Sequence, residues 1–155
     1  MKTRKTRNGL LVSPIRDGTV IDHITGGEAL NVLRMIGITG YTSESLSIAT
    51  NVKSPKMATK DIVKIENREL RKEEVDRIAL IAPQASINII RNYQVFQKKG
   101  VETPAFLVGI VRCPNPGCIS STNEPIESRF EVLAKGLRCL YCDWLITEDI
   151  TSHIV

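Results

Sequence analysis

The sequence predicts an α+β fold with two domains: a ferredoxin-like β-α-β-β-α-β first domain over residues 1–102 and a small all-β second domain over residues 103–155. Strand-like and helix-like periodicities alternate in that order over the first hundred residues. After Gly100 the chain becomes rich in proline and carries only short strand-like runs. All four cysteines lie in this second part, which is so small that an apolar core alone would barely offset its chain entropy.

The first domain begins with a strand and a helix. "GTVIDHI", residues 18–24, is rich in β-branched residues and predicts a buried strand. Thr25 and Glu28 have the spacing of a capping box, and apolar residues recur with helical period over residues 29–36 before Gly37.

The remaining elements of this domain are predicted from the alternation of apolar and polar residues, from helical periodicity and from turn residues. We expect an antiparallel pair of strands, a helix that stops before Pro83, and two further extended segments. These elements are assigned to "ESLSIATNV" at residues 44–52, "KDIVKIEN" at 60–67, "RKEEVDRIALI" at 71–81, "SINII" at 86–90 and "YQVFQK" at 93–98.

The positive charge of the chain is concentrated at its start. Of 155 residues 42% are hydrophobic and 25% charged, which is typical of a globular protein. The formal net charge of +4 equals the four cations within residues 1–7, and the rest carries 17 residues of each sign. A neutral body lacks the broad electrostatic footprint of a dedicated DNA or RNA binder, and we expect residues 1–8 to be a flexible basic tail.

The sequence favours a cytoplasmic location. Only "GLLV" follows the basic start before Ser13 and Pro14, which is too short for a signal peptide, and no run approaches a membrane span. Thiols stay reduced in the cytoplasm, where paired cysteines favour metal binding over disulfides.

The four cysteines have the spacing of a metal site. Four residues separate Cys113 from Cys118, and two separate Cys139 from Cys142. Two such knuckles can bring four thiolates together around one zinc ion, and with all four ligands from the protein no position remains for a hydrolytic water. The alternatives are an iron redox centre, and a disulfide pair or free thiols.

Lysines bracket an aliphatic residue in the strand "KDIVKIEN". A period of two places Val63 and Ile65 on one face and Lys60, Ile62 and Lys64 on the other. The two ammonium groups can bind phosphate oxygens while the aliphatic side chain of Ile62 contacts a flat, apolar part of the same ligand. The alternative is an ordinary solvated strand face.

Four other residues are weaker candidates. Asp22 can accept bonds from ribose hydroxyls and His23 can join a phosphate cluster, but a regular strand places these neighbours on opposite faces. Tyr93 and Lys98 can add a stacking contact and a further cation. No phosphate loop, catalytic triad, carboxylate pair or metalloprotease motif is present, so no residue is predicted to be catalytic.

Taken together, "GTVIDHI", "KDIVKIEN", "ALIAPQASINIIRNYQV", "CPNPGCIS" and "CLYC" resemble the regulatory chains of aspartate carbamoyltransferase, in the right order and spacing from about residue 12 to about residue 148. The resemblance implies a nucleotide-binding first domain and a zinc second domain that docks on a separate catalytic chain. It also implies an assembly of two catalytic trimers with three regulatory dimers, in which CTP generally inhibits, ATP opposes it at the same site, and carbamoyl transfer belongs to the other chain.

The resemblance also assigns residues to the effector pocket. It implies base contacts near Val12 and Ile15, a ribose contact at Asp22, phosphate contacts at His23 and Lys98, the strand residues Lys60, Ile62 and Lys64, and a remaining wall of Asn88, Ile90, Tyr93 and Val95. It places Asp22 and His23 around one ligand, whereas simple alternation separates them. Ser13 and Pro14 depart from the acidic residue and alanine that some family members carry.

Two other functions remain open from the sequence. A zinc-ribbon adaptor would bind nucleic acid through the basic tail and the knuckles, and a rubredoxin-like electron carrier would hold iron. The sequence does not fix effector selectivity or the docking residues, for which Asn115 and Asp143 are candidates by position alone.

Overall fold

The computed structural model describes residues 14–38, 40, 42–122 and 126–154. The chain divides into two compact units, Met1–Val101 and Glu102–Val155. The predicted basic tail, Val12 and Ser13 lie outside the described residues. In the part of the chain that the structure describes, no helix is both long and apolar enough to cross a membrane.

In the first unit, the described residues form a five-stranded antiparallel sheet with two helices. Its strand order, β2-β3-β1-β4-β5, is that of a ferredoxin-like sheet with β5 added at one edge, which confirms the predicted β-α-β-β-α-β arrangement. The elements are β1 Gly18–Thr25, α1 Ala29–Met35, β2 Leu46–Ser54, β3 Ala58–Glu66, α2 Lys72–Ala79, β4 Ser86–Arg91 and β5 Gln94–Gly100.

The apolar core of this unit joins the helices to one face of the sheet. Burial alternates along β3 as predicted: Val63 and Ile65 are fully buried, whereas Lys60, Ile62 and Lys64 on the other face are half-buried. Other members of the core are Ile21, Ile24, Val32, Ile78 and Ile87. The core therefore fixes which face of the sheet is left for other contacts.

The N-terminus of α1 is capped from the sheet and not by its own sequence. The predicted capping box of Thr25 and Glu28 is wrong, because Glu28 makes no side-chain cap bond. Instead, the carboxylate of Asp61 on β3 accepts hydrogen bonds from the backbone N–H groups of Gly27 and Ala29, both at 3.0 Å. A buried carboxylate that reaches two unpaired N–H groups satisfies the helix end better than one local hydroxyl.

Helix α2 ends at Ala79, two residues before the predicted end at residue 81. At its start, Glu74 Oε1 accepts a hydrogen bond from the Arg71 N–H at 2.9 Å. The second carboxylate oxygen of Glu74 accepts a bond from the Arg68 guanidinium, which also donates to the Ile36 carbonyl at 2.7 Å. This network ties the start of α2 to the end of α1.

Strands β4 and β5 form a tight hairpin. Its two turn residues, Asn92 and Tyr93, have φ values of 54° and 65°, as a type I′ turn requires. The register of β5 against β4 then skips Phe96, so Val95 and Lys98 lie on the same face although they are three residues apart. This bulge decides which side chains of the edge strand share a face.

Over the described residues, the second unit is a small four-stranded antiparallel sheet, which agrees with the all-β domain predicted from the sequence. The order is β9-β8-β7-β6, and the fully buried side chains around it include Leu107, Val111, Phe130 and Leu137. Its elements are β6 Phe106–Val108, a 3₁₀ turn Ile119–Ser121, β7 Arg129–Leu133, β8 Gly136–Cys139, β9 Leu145–Ile146 and a 3₁₀ turn Ile150–His153.

Candidate metal centre and candidate ligand-binding face

The fold brings the four cysteines of the second unit together. The Sγ atoms of Cys113, Cys118, Cys139 and Cys142 all lie within 4.8 Å of one another. Cys113 and Cys142 are 3.6 Å apart, and Cys118 and Cys139 are 3.7 Å apart. Four sulfurs at about 2.3 Å from a tetrahedral zinc ion are about 3.8 Å apart, so the donor set and its spacing fit such an ion.

Backbone turns shape each pair of cysteines. In the first, the Cys118 N–H donates to the Asn115 carbonyl at 3.1 Å, and the Gly117 N–H donates to the Asn115 side chain at 3.0 Å. In the second, the Tyr141 N–H points at the Cys139 sulfur at 3.4 Å, and Asp143 adopts a left-handed conformation. Such turns direct amides toward sulfur, which stabilises thiolate ligands.

The thiols of Cys113, Cys139 and Cys142 differ in pKa. Burial raises the pKa of Cys113 to about 12 and also raises the pKa of Cys139. For Cys142 burial acts in the same direction, but hydrogen bonds from the Asn115 side chain and the Trp144 N–H outweigh it and lower the pKa to about 7. Ionising the buried thiols of Cys113 and Cys139 is therefore costly, and a divalent cation at the centre of the cluster offsets that cost.

The sheet face opposite the helices carries most of the other predicted site residues. We call this side, with Lys60, Ile62, Lys64 and Lys98, the cationic face. Strand pairing places Lys64 beside Val20, Val20 beside Asn88, and Asn88 beside Lys98. The structure therefore brings residues from four strands into one row across the face.

A β-bulge places Asp22 and His23 on the same side of the sheet. The pairing of β1 with β3 shifts between Ile21 and Ile24, and His23 has a φ of 58°. Asp22 lies 3.0 Å from the Lys60 ammonium, and the His23 ring lies 3.1 Å from the Ser86 hydroxyl. The expectation of opposite faces is therefore wrong, because the strand is irregular at this point.

The remaining candidates lie around the β4–β5 hairpin. Asn88 donates a hydrogen bond to the Val20 carbonyl at 3.3 Å, and Ile90 is buried opposite the exposed Val95. The exposed residue Tyr93 donates its backbone N–H to the carbonyl of Arg16 at 2.8 Å. That bond places the buried Ile15, the neighbour of Arg16, close to the turn of the hairpin.

The electrostatics of the cationic face favour an anion. Burial lowers the pKa of Lys64, and the charge of Asp22 opposes this shift. A partly dehydrated ammonium on a face that also carries Lys60 and His23 gains more from an anionic ligand than a solvated lysine would.

Asp61 is not among the site residues that the sequence predicts. It is fully buried and accepts three backbone hydrogen bonds, from Gly27, Ala29 and Asn51. The available signal was a carboxylate at a position whose period-two neighbours, Val63 and Ile65, are apolar and buried. A charged residue on a buried strand face indicates a fixed set of hydrogen-bond partners.

These features define a class of protein in which a ferredoxin-like domain with an open cationic face is followed by a small four-thiol metal-binding domain. Two family models agree with this division. Residues 10–102 match the allosteric domain of the aspartate carbamoyltransferase regulatory chain, and residues 106–152 match its metal-binding domain. The chain belongs to the family of aspartate carbamoyltransferase regulatory chains, and it is a regulatory and not a catalytic chain of that enzyme.

Curated relatives with that description match along the whole chain. The regulatory chain of Methanoculleus marisnigri is 71% identical over 155 residues, covering all of both chains. That of Methanosphaerula palustris is 70% identical over 147 residues, or 95% of each chain. That of Haloarcula marismortui is 52% identical over 146 residues, or 94% of each chain. The resemblance found in the sequence is thus confirmed.

Proposed function

We propose that this chain binds CTP and ATP on its cationic face and thereby controls the catalytic trimers of aspartate carbamoyltransferase in pyrimidine biosynthesis. The observation that carries the proposal is the convergence of Asp22, His23 and Lys60, with Lys64, on the face that the helices leave open. The match of residues 10–102 to an allosteric domain supports the same assignment.

The proposed contacts follow the chemistry of a nucleoside triphosphate. Lysines and histidine bind phosphate oxygens, and a carboxylate accepts bonds from ribose hydroxyls. A base needs an apolar wall with backbone groups at its edge. We assign the phosphates to His23, Lys60, Lys64 and Lys98, the ribose to Asp22, and the base to Val12, Ile15, Ile62, Asn88, Ile90, Tyr93 and Val95.

Control of a separate catalytic chain requires two states of the assembly. A nucleotide shifts their equilibrium only if its affinity differs between them, and such couplings are typically about 1–3 kcal/mol. The assembly we propose contains two catalytic trimers and three regulatory homodimers, located in the cytoplasm.

The test is an activity assay of the reconstituted enzyme. We expect CTP and ATP to change the carbamoyl-transfer rate of catalytic chain assembled with this chain, and to leave isolated catalytic trimers unaffected. The Lys60→Ala chain should assemble normally and lose most of the response to CTP, whereas Lys72→Ala, on the helical side, should retain it. A full CTP response with Lys60→Ala would contradict the proposed site.

We also propose that the four cysteines hold one structural zinc ion. Their spacing and their thiol donors support zinc, and four protein ligands close the site to a catalytic water. Metal analysis of the purified chain should find one zinc per chain. Iron, with visible colour, would instead support the electron-carrier alternative.

The metal-binding domain is the part that we propose docks on the catalytic chain. Large apolar side chains next to the cysteines are 39% to 46% exposed: Ile119, Leu140, Tyr141 and Trp144. Aromatic residues of this kind anchor protein interfaces. The positional candidates Asn115 and Asp143 instead make bonds within the unit, to Gly117 and Arg138.

A nucleic-acid adaptor is the competing function. We propose that neither nucleic acid nor a membrane is a partner, because the cationic face includes an acid, Asp22, that pairs with Lys60 and interrupts any basic stripe there. RNA or DNA affinity that falls steeply with salt and disappears when residues 1–7 are removed would contradict this proposal.

A further inference from the structure

We infer that Asp61 is a positioning residue of the effector site, holding in place the backbone that carries His23 and Lys60 without touching the nucleotide itself. The inference rests on the proposed function, because it concerns the same site. Asp61 is 0% exposed and projects from β3 toward the helical side of the sheet. Its neighbour Lys60 projects toward the cationic face.

The carboxylate of Asp61 joins three segments of backbone. Oδ2 accepts hydrogen bonds from the N–H groups of Gly27 and Ala29, both at 3.0 Å, and Oδ1 accepts one from Asn51 at 2.9 Å. Gly27 lies in the turn that leads from β1 into α1, and Ala29 is the first residue of α1. Asn51 lies on β2, so one side chain on β3 joins β2 to the connection between β1 and α1.

The backbone is irregular at Asn51, which Asp61 binds, and at His23, which lies next to the residue paired opposite Asp61. The pairing of β2 with β3 shifts between Ala49 and Val52, and Asn51 within that interval has a φ of 56°. The pairing of β1 with β3 shifts at His23, whose φ is 58°, and resumes with Ile24 opposite Asp61. Left-handed, non-glycine residues at bulges persist only where surrounding contacts hold them.

The turn before α1 also packs closely on this region. A methyl group added to Gly26 would lie 2.8 Å from the Thr59 hydroxyl and 3.4 Å from the Asn51 side-chain oxygen. The turn, the bulge of β2 and the start of β3 therefore have little room to shift independently. Displacing any one of them displaces the adjacent His23 bulge and Lys60.

The geometry gives Asp61 a direct effect on the cationic face. Lys60 lies 3.0 Å from Asp22, and the His23 ring lies 3.1 Å from Ser86. Lys60 directly precedes Asp61 on β3, and His23 directly precedes Ile24, which is paired opposite Asp61. An amide in place of the carboxylate presents an NH₂ group to at least one backbone N–H, so that segment must move away.

The experiment compares the full chain with its Asp61→Asn variant, using Glu74→Gln as control. Glu74 is also a buried acid that binds a helix start, but it lies with Arg68 and Ile36, away from the cationic face. Two quantities are measured well below the unfolding temperature: the NMR signals of the His23 ring without nucleotide, and the dissociation constant of CTP by calorimetry.

We expect Asp61→Asn to shift the His23 ring signals and to weaken CTP binding about tenfold, with neither effect in Glu74→Gln. In a His23→Ala background the same substitution should weaken CTP binding by clearly less, because part of its effect passes through His23. A purely structural loss of stability would not produce that dependence.

Unchanged His23 signals, or unchanged CTP affinity, in a folded Asp61→Asn chain would overturn the inference. If that variant does not fold, Gly26→Ala moves the same turn while keeping Asp61, and it should shift the same His23 signals; unshifted signals would overturn the inference equally. A wild-type chain that fails to bind CTP would overturn the proposed function instead, and the His23 signals would still show whether Asp61 holds the bulge.

Discussion

At the residue scale, the two central lysines of the cationic face are held differently. The Lys60 ammonium is paired with Asp22 at 3.0 Å, and its side chain is 16% exposed. Lys64 lies four residues further along the same strand, where burial lowers its pKa. Removing Lys60 therefore removes a cation and also the ammonium that lies against the Asp22 carboxylate, whereas Lys64 interacts with the charge of that carboxylate from further along the strand.

We predict that Lys60→Ala weakens CTP binding more than Lys64→Ala does. A lost charge-assisted contact costs about 1.5–3 kcal/mol, so each variant should bind CTP at least about tenfold more weakly. Isothermal titration calorimetry at fixed salt measures the affinities. Lys72→Ala, whose side chain is 79% exposed on α2, is the matched control and should bind as the wild type does. Wild-type affinity in both pocket variants would rule out the assigned contacts.

At the element scale, both helices begin with a carboxylate that binds backbone N–H groups, but the carboxylates have different origins. The start of helix α2 is capped by Glu74, a residue of the helix itself, which accepts a hydrogen bond from the Arg71 N–H three residues earlier. The start of helix α1 is capped by Asp61, which lies on strand β3, far along the chain, and accepts a hydrogen bond from the Ala29 N–H. The first kind of cap can be read from local spacing, and the second depends on the packing of the helix on the sheet.

Glu74 makes a pH-dependent contribution to stability. Burial would raise its pKa, but hydrogen bonds from the Arg71 N–H and the Arg68 guanidinium, with the charges of both arginines, lower it below its ordinary value of 4.5. Because the folded state holds the carboxylate form, the stabilisation is complete above that ordinary value. It is lost as the pH falls through the lower pKa of the folded chain.

We predict that Glu74→Gln lowers the free energy of unfolding by about 1–3 kcal/mol at pH 7. The deficit should shrink as the pH falls below 4.5, since the wild-type carboxyl group then becomes protonated. Urea denaturation at several pH values measures it. Glu69→Gln, which removes an exposed pair with Arg91, serves as the control for a surface ion pair. A deficit that persists unchanged in acid would show that charge is not the cause.

At the scale of the whole molecule, the two units depend on different forces. The first has a continuous apolar core between sheet and helices. The second has a four-stranded sheet and a cluster of four cysteines, of which three are buried. In such a domain, metal binding supplies part of the free energy of folding. Losing the metal should therefore unfold the second unit.

We predict that Cys113→Ser, or a strong chelator, unfolds residues 103–155 and abolishes association with the catalytic chain. The first unit should retain its secondary structure and its affinity for CTP. Size-exclusion chromatography with the catalytic chain, metal analysis and circular dichroism measure the three effects.

A second variant distinguishes docking from folding. Trp144→Ala leaves all four cysteines in place, so it should retain the metal and weaken association through the lost apolar contact alone. Stable association after complete metal removal would contradict the proposed role of the metal-binding domain.

The order of the secondary-structure elements and the four-cysteine cluster could be predicted from the sequence because both depend on local spacing. A period of two on β3 predicted that Val63 and Ile65 lie on one face and Lys60 and Lys64 on the other. The burial pattern of the folded strand agrees with this. Two short cysteine pairs with a hairpin-sized interval predicted the four-sulfur cluster, and the sulfurs do converge. Such patterns need no knowledge of what packs against them.

Only the tertiary structure decided how the cationic face is assembled. The bulge that turns His23 to the side of Asp22, and the one at Phe96 that aligns Val95 with Lys98, depend on the register between strands distant in the chain. The three hydrogen bonds of Asp61 join such distant segments too. Periodicity specifies a regular strand, and a departure from it is stable only when neighbouring backbone supplies the partners that the irregular residue lost.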